Sequence, residues 1–305
     1  MKKIISGSPF EGDVLYMEPM VKHTSLKIGG PADIFAVPRD IASLANICST
    51  LKQSGIPVFP LGGGTNVLVK DGGITGAVVC LKSLRRIGVL GRDDAAVYVV
   101  VEAGTLLRSF VHYAEENGYS GIEGLAGIPG TVGGAICGNA GAFGCEIKDV
   151  LVSVELADLN GRRSVLRAED VRFGYRTSGI TVDQLILKAE MRLKIDKREE
   201  VSARVHNYLT TKKEKQPLWE ASAGCVFKNP PGTAAGKLID EAGCKGMRRG
   251  DVEVSGLHAN FFINRGRASA SDFIKLMEEV ADRVNRKFGV ILEPEIRIVG
   301  RNGVD

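Results

Sequence analysis

Hydrophobic and polar residues alternate along the chain with two different periods, one of two residues and one of about 3.6, which indicates mixed α and β structure. The clearest strand signal is the β-branched run Ala96–Ala103, because such side chains pack well on a pleated surface. Strands are predicted over residues 32–38, 57–61, 66–69, 76–81, 96–103, 150–158, 162–166, 184–194, 224–228 and 260–264.

Helices are predicted where apolar residues recur three or four positions apart. Asp40 is the expected N-cap of the first helix and Gly55 its expected end. The apolar face of this helix comprises Ile41, Leu44, Cys48 and Leu51. Further helices are predicted over about 105–117, from the charged run 195–200 through Leu209, over 235–242 and over 271–288.

Length and charge limit the class of protein. At 305 residues the chain exceeds the usual size of one hydrophobic core, so two or three domains are expected. Hydrophobic residues make up 44% and charged residues 25%, as in an ordinary globular protein. Lys and Arg (40) exceed Asp and Glu (36) by only four. This excess argues against a protein that coats nucleic acid, but it is compatible with a local basic pocket for a phosphorylated ligand.

The chain lacks the patterns of membrane insertion, secretion and metal binding. No apolar run approaches the roughly 18 residues that span a bilayer. The N-terminal segment MKKIISGSPFEGD contains too short an apolar run for a signal peptide. The six cysteines form no CxxC pair and the four histidines form no HExxH motif. We therefore expect a cytoplasmic protein with reduced thiols and no metal site.

Two glycine-rich segments are candidates for ligand binding. The first comprises Gly62, Gly63, Gly64, Thr65 and Asn66 and follows a predicted strand. Its glycines would let backbone N–H groups approach an anion, although a tight turn explains the segment equally well. It is not a GxGxxG motif, so a Rossmann site is not indicated. The second segment, residues 127–144, has seven glycines in eighteen residues. Because each glycine costs conformational entropy on folding, so much bare backbone favours contact with a flat, phosphorylated cofactor.

Three further segments carry side chains suited to substrate chemistry. Segment 173–178 (FGYRTS) places an arginine beside a phenol and two hydroxyls, which suits a carboxylate or a phosphate. Segment 222–230 contains a thiol, an ammonium group and an amide, and segment 292–297 contains two carboxylates. Each alone is more often a surface ion pair or a packing cluster, and convergence is not visible in the sequence. Segment 232–238 resembles a phosphate loop, but two defining positions hold Pro and Leu, so ATP hydrolysis is not expected.

Seven motifs, in order from about residue 20 to 300, closely resemble those of the UDP-N-acetylenolpyruvoylglucosamine reductase family. They are TSLKIGGPADIFAVP, PLGGGTNVLV, GLAGIPGTVGGAICGNAGAFG, FGYRTS, SAGCVFKNP, HANFFIN and LEPEIRIVG. The tight spacing after GYRTS resembles the shorter, type II form of the family, which lacks an extra loop over the substrate.

The resemblance implies an α+β fold of the vanillyl-alcohol-oxidase/PCMH type, with two FAD-binding subdomains and a third, substrate-binding domain. It places the first subdomain at residues 1–80 together with the C-terminal strand 296–305. The second subdomain is then 81–196 and the substrate-binding domain 197–295.

The implied activity is a step of peptidoglycan precursor biosynthesis. NADPH would reduce bound FAD, and hydride would then pass to the β carbon of UDP-N-acetylglucosamine enolpyruvate, giving UDP-N-acetylmuramate. The partner is thus a small-molecule substrate, with no nucleic acid and no membrane insertion. Because no histidine lies in the second glycine-rich segment, non-covalent FAD is expected.

The family's site residues carry over by position. Arg176 and Glu295 are implied to polarise the substrate carboxylate as negative charge develops. Glu295 would hold a proton or act through a shared hydrogen bond. The implied substrate contacts are Tyr175, Lys228, Asn229 and Asn260. The implied FAD contacts are the five residues of the first glycine segment together with Gly127, Ile128, Pro129, Gly130, Thr131, Gly133, Gly134, Gly138, Asn139 and Gly141.

The implied proton donor is Cys225, where the family commonly has serine. A thiol with its ordinary pKa of about 8.5 is mostly protonated at neutral pH and can donate. The neighbouring Lys228 would lower that pKa and leave more thiolate. The cysteine therefore keeps the assignment of the donor and leaves the rate and the pH profile open.

Two other functions share part of this pattern. Another FAD oxidase or dehydrogenase of the same fold would keep the glycine segments but need not combine GYRTS, SAGCVFKNP and LEPEIRIVG. A non-catalytic flavin- or sugar-nucleotide-binding protein would need neither a proton donor nor paired carboxylates.

Overall fold

The computed structural model describes residues 10–303, so most of the N-terminal segment in which no signal peptide is predicted lies outside the described residues. The α-helices are α1 Ile41–Gln53, α2 Leu107–Glu116, α3 Val132–Cys137, α4 Arg198–Lys215, α5 Ala235–Glu241 and α6 Ala270–Phe288. The strands are β1 Gly12–Pro19, β2 Pro31–Pro38, β3 Val58–Leu61, β4 Val67–Val69, β5 Ile74–Cys80, β6 Ile87–Arg92, β7 Ala96–Glu102, β8 Tyr119–Ser120, β9 Gly141–Ala142, β10 Cys145–Glu146, β11 Leu151–Asp158, β12 Arg163–Arg167, β13 Gln184–Ile195, β14 Arg248–Arg249, β15 Val252–Val254, β16 Phe262–Asn264 and β17 Arg297–Val299.

Within residues 10–303, no helix has the length and apolar character needed to cross a membrane. The same part of the chain contains no group of three or more His, Cys, Asp or Glu side chains placed to hold a metal ion. The six cysteines all lie in this described part of the chain, and none of them forms a disulfide.

The chain forms two compact units, each built from three stretches of sequence. Among the described residues, the first unit comprises 10–16, Ile34–Gly63 and Gly76–Thr211. The second comprises Met17–Asp33, Gly64–Thr75 and 212–303. The finer division into two FAD-binding subdomains and a substrate-binding domain stays a prediction.

The first unit is organised around an antiparallel sheet with the order β12-β11-β13-β7-β6, to which β8 adds by pairing with β13. Strand β7 lies inside this sheet, and its Val97, Val99 and Val101 are fully buried, as the β-branched run predicts. A second sheet, with the order β1-β2-β5-β3, lies mostly in this unit and contains the parallel pair β3–β5.

Helix α1 shows how local sequence signals set the boundaries in this unit. The Asp40 carboxylate accepts a hydrogen bond from the Ser43 N–H at 2.7 Å, which caps the helix as predicted. Gly55 follows the helix with a φ of 67°, a conformation that glycine adopts without steric cost. The buried face comprises Leu44, Ile47, Cys48 and Leu51.

The second unit contains the antiparallel sheet β14-β15-β16, and α5 and α6 contribute to the same hydrophobic core as this sheet. Ser269 caps α6 by accepting from the Asp272 N–H at 3.0 Å, and Gly289 ends it at a φ of 68°. Strand β17 pairs in parallel with β4, with Arg297 opposite Val67. The C-terminal strand therefore returns to the segment that follows the first glycine loop.

Three differences from the predicted elements have physical causes. Residues 224–228 do not form a regular strand, because the Phe227 N–H and carbonyl bond to the Asn260 side chain and not to the backbone of a neighbouring strand. Helix α3 was not predicted, since glycine disfavours helices, yet Thr131 caps it. Strand β6 was missed because it is mostly exposed and carries two glycines, so its alternation is weak.

Candidate active site

The second glycine-rich segment folds as a turn, one short helix and a hairpin. Gly127 and Gly130 have φ values of 76° and 113°, which glycine alone adopts readily. The Thr131 hydroxyl accepts from the Gly134 N–H at 3.3 Å and so starts α3. The hairpin β9–β10 follows, with Gly141 opposite Glu146.

The glycines of this segment serve two different purposes. A Cβ added at Gly133 would lie 2.8 Å from the Ala103 Cβ, so this glycine is required by close packing of the protein itself. Gly134 is exposed, and its added Cβ would meet only the Thr131 Oγ1, at an ordinary 3.5 Å. An added Cβ at Gly138 would likewise meet only the Gly134 carbonyl oxygen, at 3.6 Å. The protein's own packing does not require bare backbone at these two positions, so they fit a flat cofactor lying against the chain.

The first glycine segment is divided between the two units. In the first unit, a Cβ at Gly62 would lie 2.5 Å from the Thr131 Oγ1, so Gly62 lies directly against the second segment. In the second unit, Gly64 has a φ of 63° and a Cβ there would collide with the His23 carbonyl oxygen. The Asn66 Nδ2 donates to the Glu295 carbonyl at 3.1 Å. Contact of Gly63 and Thr65 with FAD stays a prediction, as does that of the other residues in this loop.

The GYRTS segment forms a tight turn that presents Arg176. Gly174 and Thr177 exchange two backbone hydrogen bonds, at 2.9 and 3.4 Å, which leaves Tyr175 and Arg176 as the turn residues. Arg176 has a φ of 58°, a left-handed conformation that costs a non-glycine residue roughly 1–2 kcal/mol. Such strained residues are concentrated at functional sites, where the surrounding structure holds them in place.

Three hydrogen bonds connect this turn to the second glycine-rich segment. The Asn139 Nδ2 donates to the Gly174 carbonyl at 3.1 Å, and the Ser178 Oγ donates to the Cys137 carbonyl at 3.0 Å. The Arg176 Nη1 donates to the Gly141 carbonyl at 3.4 Å. The structure thus brings together the segment predicted to bind the cofactor and the arginine predicted to bind the substrate carboxylate.

Charge around this turn is partly balanced by Glu146, which sequence analysis did not single out. The pKa of Glu146 lies below its ordinary value, chiefly because Lys148 bonds to the carboxylate, and to a smaller extent because of the Asn139 amide and the positive charge of Arg176. The Arg176 guanidinium also lies over the Tyr175 ring, 5.3 Å from its centroid. No sequence pattern marks Glu146, because its role depends on the hairpin that returns it to Asn139.

In the second unit, Cys225 and Glu295 belong to adjacent backbone segments. The Val226 N–H donates to the Asn260 carbonyl and the Val226 carbonyl accepts from the Glu295 N–H, both at 2.8 Å. Cys225 itself forms an isolated antiparallel bridge with Phe261. The donor motif therefore lies between the HANFFIN segment on one side and the LEPEIRIVG segment on the other.

The three predicted substrate contacts of the second unit have different surroundings. The Lys228 Nζ lies 3.3 Å from the Glu293 carboxylate, but the Lys228 side chain is partly exposed and that of Glu293 is exposed, so this pair is weak and the ammonium group stays available. Asn229 is exposed, and its Oδ1 accepts from the Ala235 N–H at 3.0 Å, at the start of α5. Asn260 is 1% exposed and bonds to the Phe227 backbone with both polar atoms of its amide.

Comparison with known protein families identifies both parts of the chain. Residues 32–167 match the family described as FAD binding domain. Residues 216–299 match the C-terminal domain of UDP-N-acetylenolpyruvoylglucosamine reductase. The bare backbone of α3 lies inside the first of these ranges, and Cys225, Asn260 and Glu295 lie inside the second.

Whole proteins of the same name are similar over nearly the full chain. The chain is 44% identical to UDP-N-acetylenolpyruvoylglucosamine reductase of Caldanaerobacter subterraneus subsp. tengcongensis, over 95% of each chain. It is 39% identical to the enzyme of that name from Syntrophus aciditrophicus, over 99% of this chain and 96% of the relative.

A solved structure supports the same assignment. The crystal structure of UDP-N-acetylenolpyruvylglucosamine reductase from Thermus caldophilus superposes with a TM-score of 0.81 and 34% identity, covering 95% of this chain and 100% of that one. Together with the FAD-binding family match, this similarity confirms the predicted α+β FAD-binding fold. The chain belongs to the UDP-N-acetylenolpyruvoylglucosamine reductase family and is an FAD-dependent oxidoreductase.

Proposed function

We propose that this protein reduces UDP-N-acetylglucosamine enolpyruvate to UDP-N-acetylmuramate with NADPH as the electron donor, in peptidoglycan precursor biosynthesis. The observation that carries the proposal is the set of three hydrogen bonds that fixes the Arg176 turn against the glycine-rich segment. A protein that only binds flavin needs no strained cation beside that segment. Because NADPH is held inside the cell, and because the six cysteines of the described residues form no disulfide, we place the reaction in the cytoplasm.

The proposed cofactor contacts follow from the open backbone. Residues 62–66 and 127–141 would hold FAD through backbone N–H groups, with Gly134 and Gly138 supplying the surface that a Cβ would fill. Bound FAD would supply the transfer of hydride from NADPH to the substrate.

The chain's side chains would handle charge and the proton. Hydride addition at the β carbon leaves negative charge on the α carbon and the adjoining carboxylate. The positively charged Arg176 guanidinium would stabilise that charge, with Glu295 acting on the same carboxylate. Cys225 would then donate its thiol proton to the α carbon.

The remaining predicted contacts would bind the substrate without taking part in proton transfer. Tyr175 is 48% exposed and lies next to Arg176 in the turn, so its phenol is accessible to an enolpyruvyl group. Lys228 offers a partly exposed ammonium group for the diphosphate, and Asn229 is exposed one residue further along.

The first test is NADPH consumption by the purified, FAD-loaded protein with and without UDP-N-acetylglucosamine enolpyruvate. We expect consumption that depends on this substrate and a product that has gained two hydrogen atoms. Steady NADPH oxidation that is indifferent to the substrate would indicate a different flavin enzyme. Protein that binds no added FAD would contradict the proposal altogether.

The second test separates the two half-reactions by stopped-flow absorbance of the flavin. In Cys225→Ala, NADPH should still bleach the flavin at the unmodified rate, but reoxidation by substrate should stall. Cys225→Ser is the matched variant and should retain substantial activity, since a hydroxyl can also donate a proton. Reoxidation of Cys225→Ala at the unmodified rate would remove the thiol from the mechanism.

A further inference from the structure

The Asn260 amide forms a two-point bond to a single residue of the donor motif. The Phe227 N–H donates to the Asn260 Oδ1 at 2.9 Å, and the Asn260 Nδ2 donates to the Phe227 carbonyl at 2.7 Å. Asn260 is 1% exposed and Phe227 is 2% exposed. Water therefore cannot replace these bonds, and an altered side chain would leave two buried backbone groups without partners.

The same asparagine is linked through backbone to both predicted proton-handling residues. The Asn260 carbonyl accepts from the Val226 N–H, one residue after Cys225. The Val226 carbonyl in turn accepts the N–H of Glu295. The main chain and the side chain of Asn260 thus hold Val226 and Phe227 in place. Because Val226 also bonds to Glu295, the backbone of Cys225 keeps a fixed position relative to that of Glu295.

Since the Asn260 side chain is buried and both polar atoms of its amide bond to the Phe227 backbone, the amide is turned toward the protein and not toward a substrate in this arrangement. We propose that Asn260 is a positioning residue that holds the 225–228 segment in register, so that Cys225 and Glu295 keep fixed places, and that it is not a direct substrate contact. The proposal rests on the proposed function for the role of Cys225.

The surroundings of Asn260 permit a pH-controlled test. A carboxylic acid has the same shape as the amide, and its protonated form can both donate to the Phe227 carbonyl and accept from the Phe227 N–H. Its ionised form cannot donate and would face that carbonyl oxygen at close range. Burial raises the pKa of such a carboxyl, which moves this loss toward neutral pH.

The other titratable groups around this site do not obscure the test. The His258 Nδ1 accepts from the Asn260 backbone N–H at 3.3 Å, and burial holds the pKa of this histidine below its ordinary value, which favours the neutral ring. Cys225, Glu295, Lys228 and Glu293 are present in both parent and variant. The rate of the variant is therefore divided by that of the parent at each pH, and Asn260→Leu, which adds no titratable group, is measured at the same pH values.

The experiment compares Asn260→Asp and Asn260→Leu with the parent as FAD-loaded protein, between about pH 6 and 8.5. NADPH should reduce the flavin at the parental rate in both variants. Reoxidation by UDP-N-acetylglucosamine enolpyruvate should fall by about 10²-fold in Asn260→Leu at every pH, the scale of a misplacement of about 1 Å. In Asn260→Asp the reoxidation rate should be reduced to the same extent at high pH and should rise at least roughly tenfold at low pH.

A second readout does not depend on activity. Hydrogen exchange of the Phe227 amide and alkylation of Cys225, both measured by mass spectrometry, should rise in Asn260→Leu. In Asn260→Asp they should rise only at the pH values where reoxidation is lost. The matched control is Asn264→Asp in the same motif, where Nδ2 donates to the Leu26 carbonyl instead. This control should leave exchange at Phe227 and the reoxidation rate near parental values.

Three results would overturn the inference: equal loss in both half-reactions, parental reoxidation in Asn260→Leu, or the same reoxidation defect in Asn264→Asp. Failure of the proposed function would give a different result. If Cys225→Ala reoxidises at the parental rate, the donor assignment is wrong, and the exchange measurements still decide whether Asn260 fixes the segment.

Discussion

Gly134 allows the proposed cofactor surface to be tested against the stability of the protein itself. The residue lies in the first turn of α3, is exposed, and lacks a positive φ. A Cβ there would make one ordinary contact, 3.5 Å from the Thr131 Oγ1. Without cofactor, Gly134→Ala should therefore fit the existing structure.

The size of the effect follows from helix propensity and from steric exclusion. Replacing glycine by alanine in a helix stabilises it by about 0.5–1 kcal/mol, which should raise the melting temperature of the flavin-free protein by roughly 1–3 °C. With FAD lying against this backbone, the methyl group would cause an overpacking cost of about 1–3 kcal/mol. The affinity for FAD should then fall about tenfold or more. The melting temperature of the flavin-free protein should therefore rise while the affinity for FAD falls.

The assay is thermal unfolding of deflavinated protein with and without added FAD, together with a titration of flavin fluorescence. Two other glycines serve as controls. Gly133→Ala should destabilise the flavin-free protein as well, because its Cβ would lie 2.8 Å from that of Ala103. Gly91→Ala has no heavy atom within 4 Å of its Cβ, so it should leave FAD affinity unchanged. Parental FAD affinity in Gly134→Ala would refute the placement of the cofactor on α3.

The remaining predictions concern charged residues of two groups, the proposed active site and the Glu123–Arg204 pair. Arg176→Ala and Glu295→Ala should each lower kcat by roughly 10²-fold or more while NADPH still reduces the flavin; an equal loss in both half-reactions would instead indicate damaged folding. Burial alone would raise the pKa of Glu123, but hydrogen bonds from backbone N–H groups, Ser120 and Arg204 outweigh burial and hold it below its ordinary value. Its stabilising contribution is thus present above the ordinary carboxyl pKa and is lost as the pH falls through the lower folded value. Arg204→Ala should destabilise the protein by about 1–3 kcal/mol at neutral pH in urea unfolding, and Glu123→Gln should flatten the loss of stability below about pH 4.

The elements that could be predicted from sequence are those whose signals are local. The capped helices α1 and α6 and the β-branched strand β7 follow from residues that lie within one element. Helix α3 could not be predicted in this way, because six residues with two glycines have little helical preference of their own. Its stability depends on the Thr131 cap and on packing against Ala103, which lies far away in the sequence.

The sequence names the residues of the candidate site, whose roles stay predictions, but not their arrangement. The motifs named Arg176 and Cys225 as chemical groups, since a guanidinium and a thiol have recognisable uses. They gave no sign that Asn139 bonds to the Gly174 carbonyl 35 positions away. Nor did they indicate that the Asn260 amide bonds to the Phe227 backbone, because an asparagine side chain can hydrogen-bond equally well to a ligand or to backbone groups.

Arg176 shows why the arrangement that the motifs do not indicate matters for the proposed mechanism. In a free chain the left-handed conformation of an arginine is disfavoured by roughly 1–2 kcal/mol, so the turn would present the guanidinium only part of the time. The bonds from Asn139 and Ser178 hold the two sides of the turn to one short segment, residues 137–139. The cost of the strained turn is then met during folding and not when substrate binds, which is the condition for a preorganised cation to stabilise developing charge. The dense glycine region therefore has a second purpose besides offering bare backbone: it carries the acceptors and donors that keep Arg176, the proposed substrate-binding residue, in place.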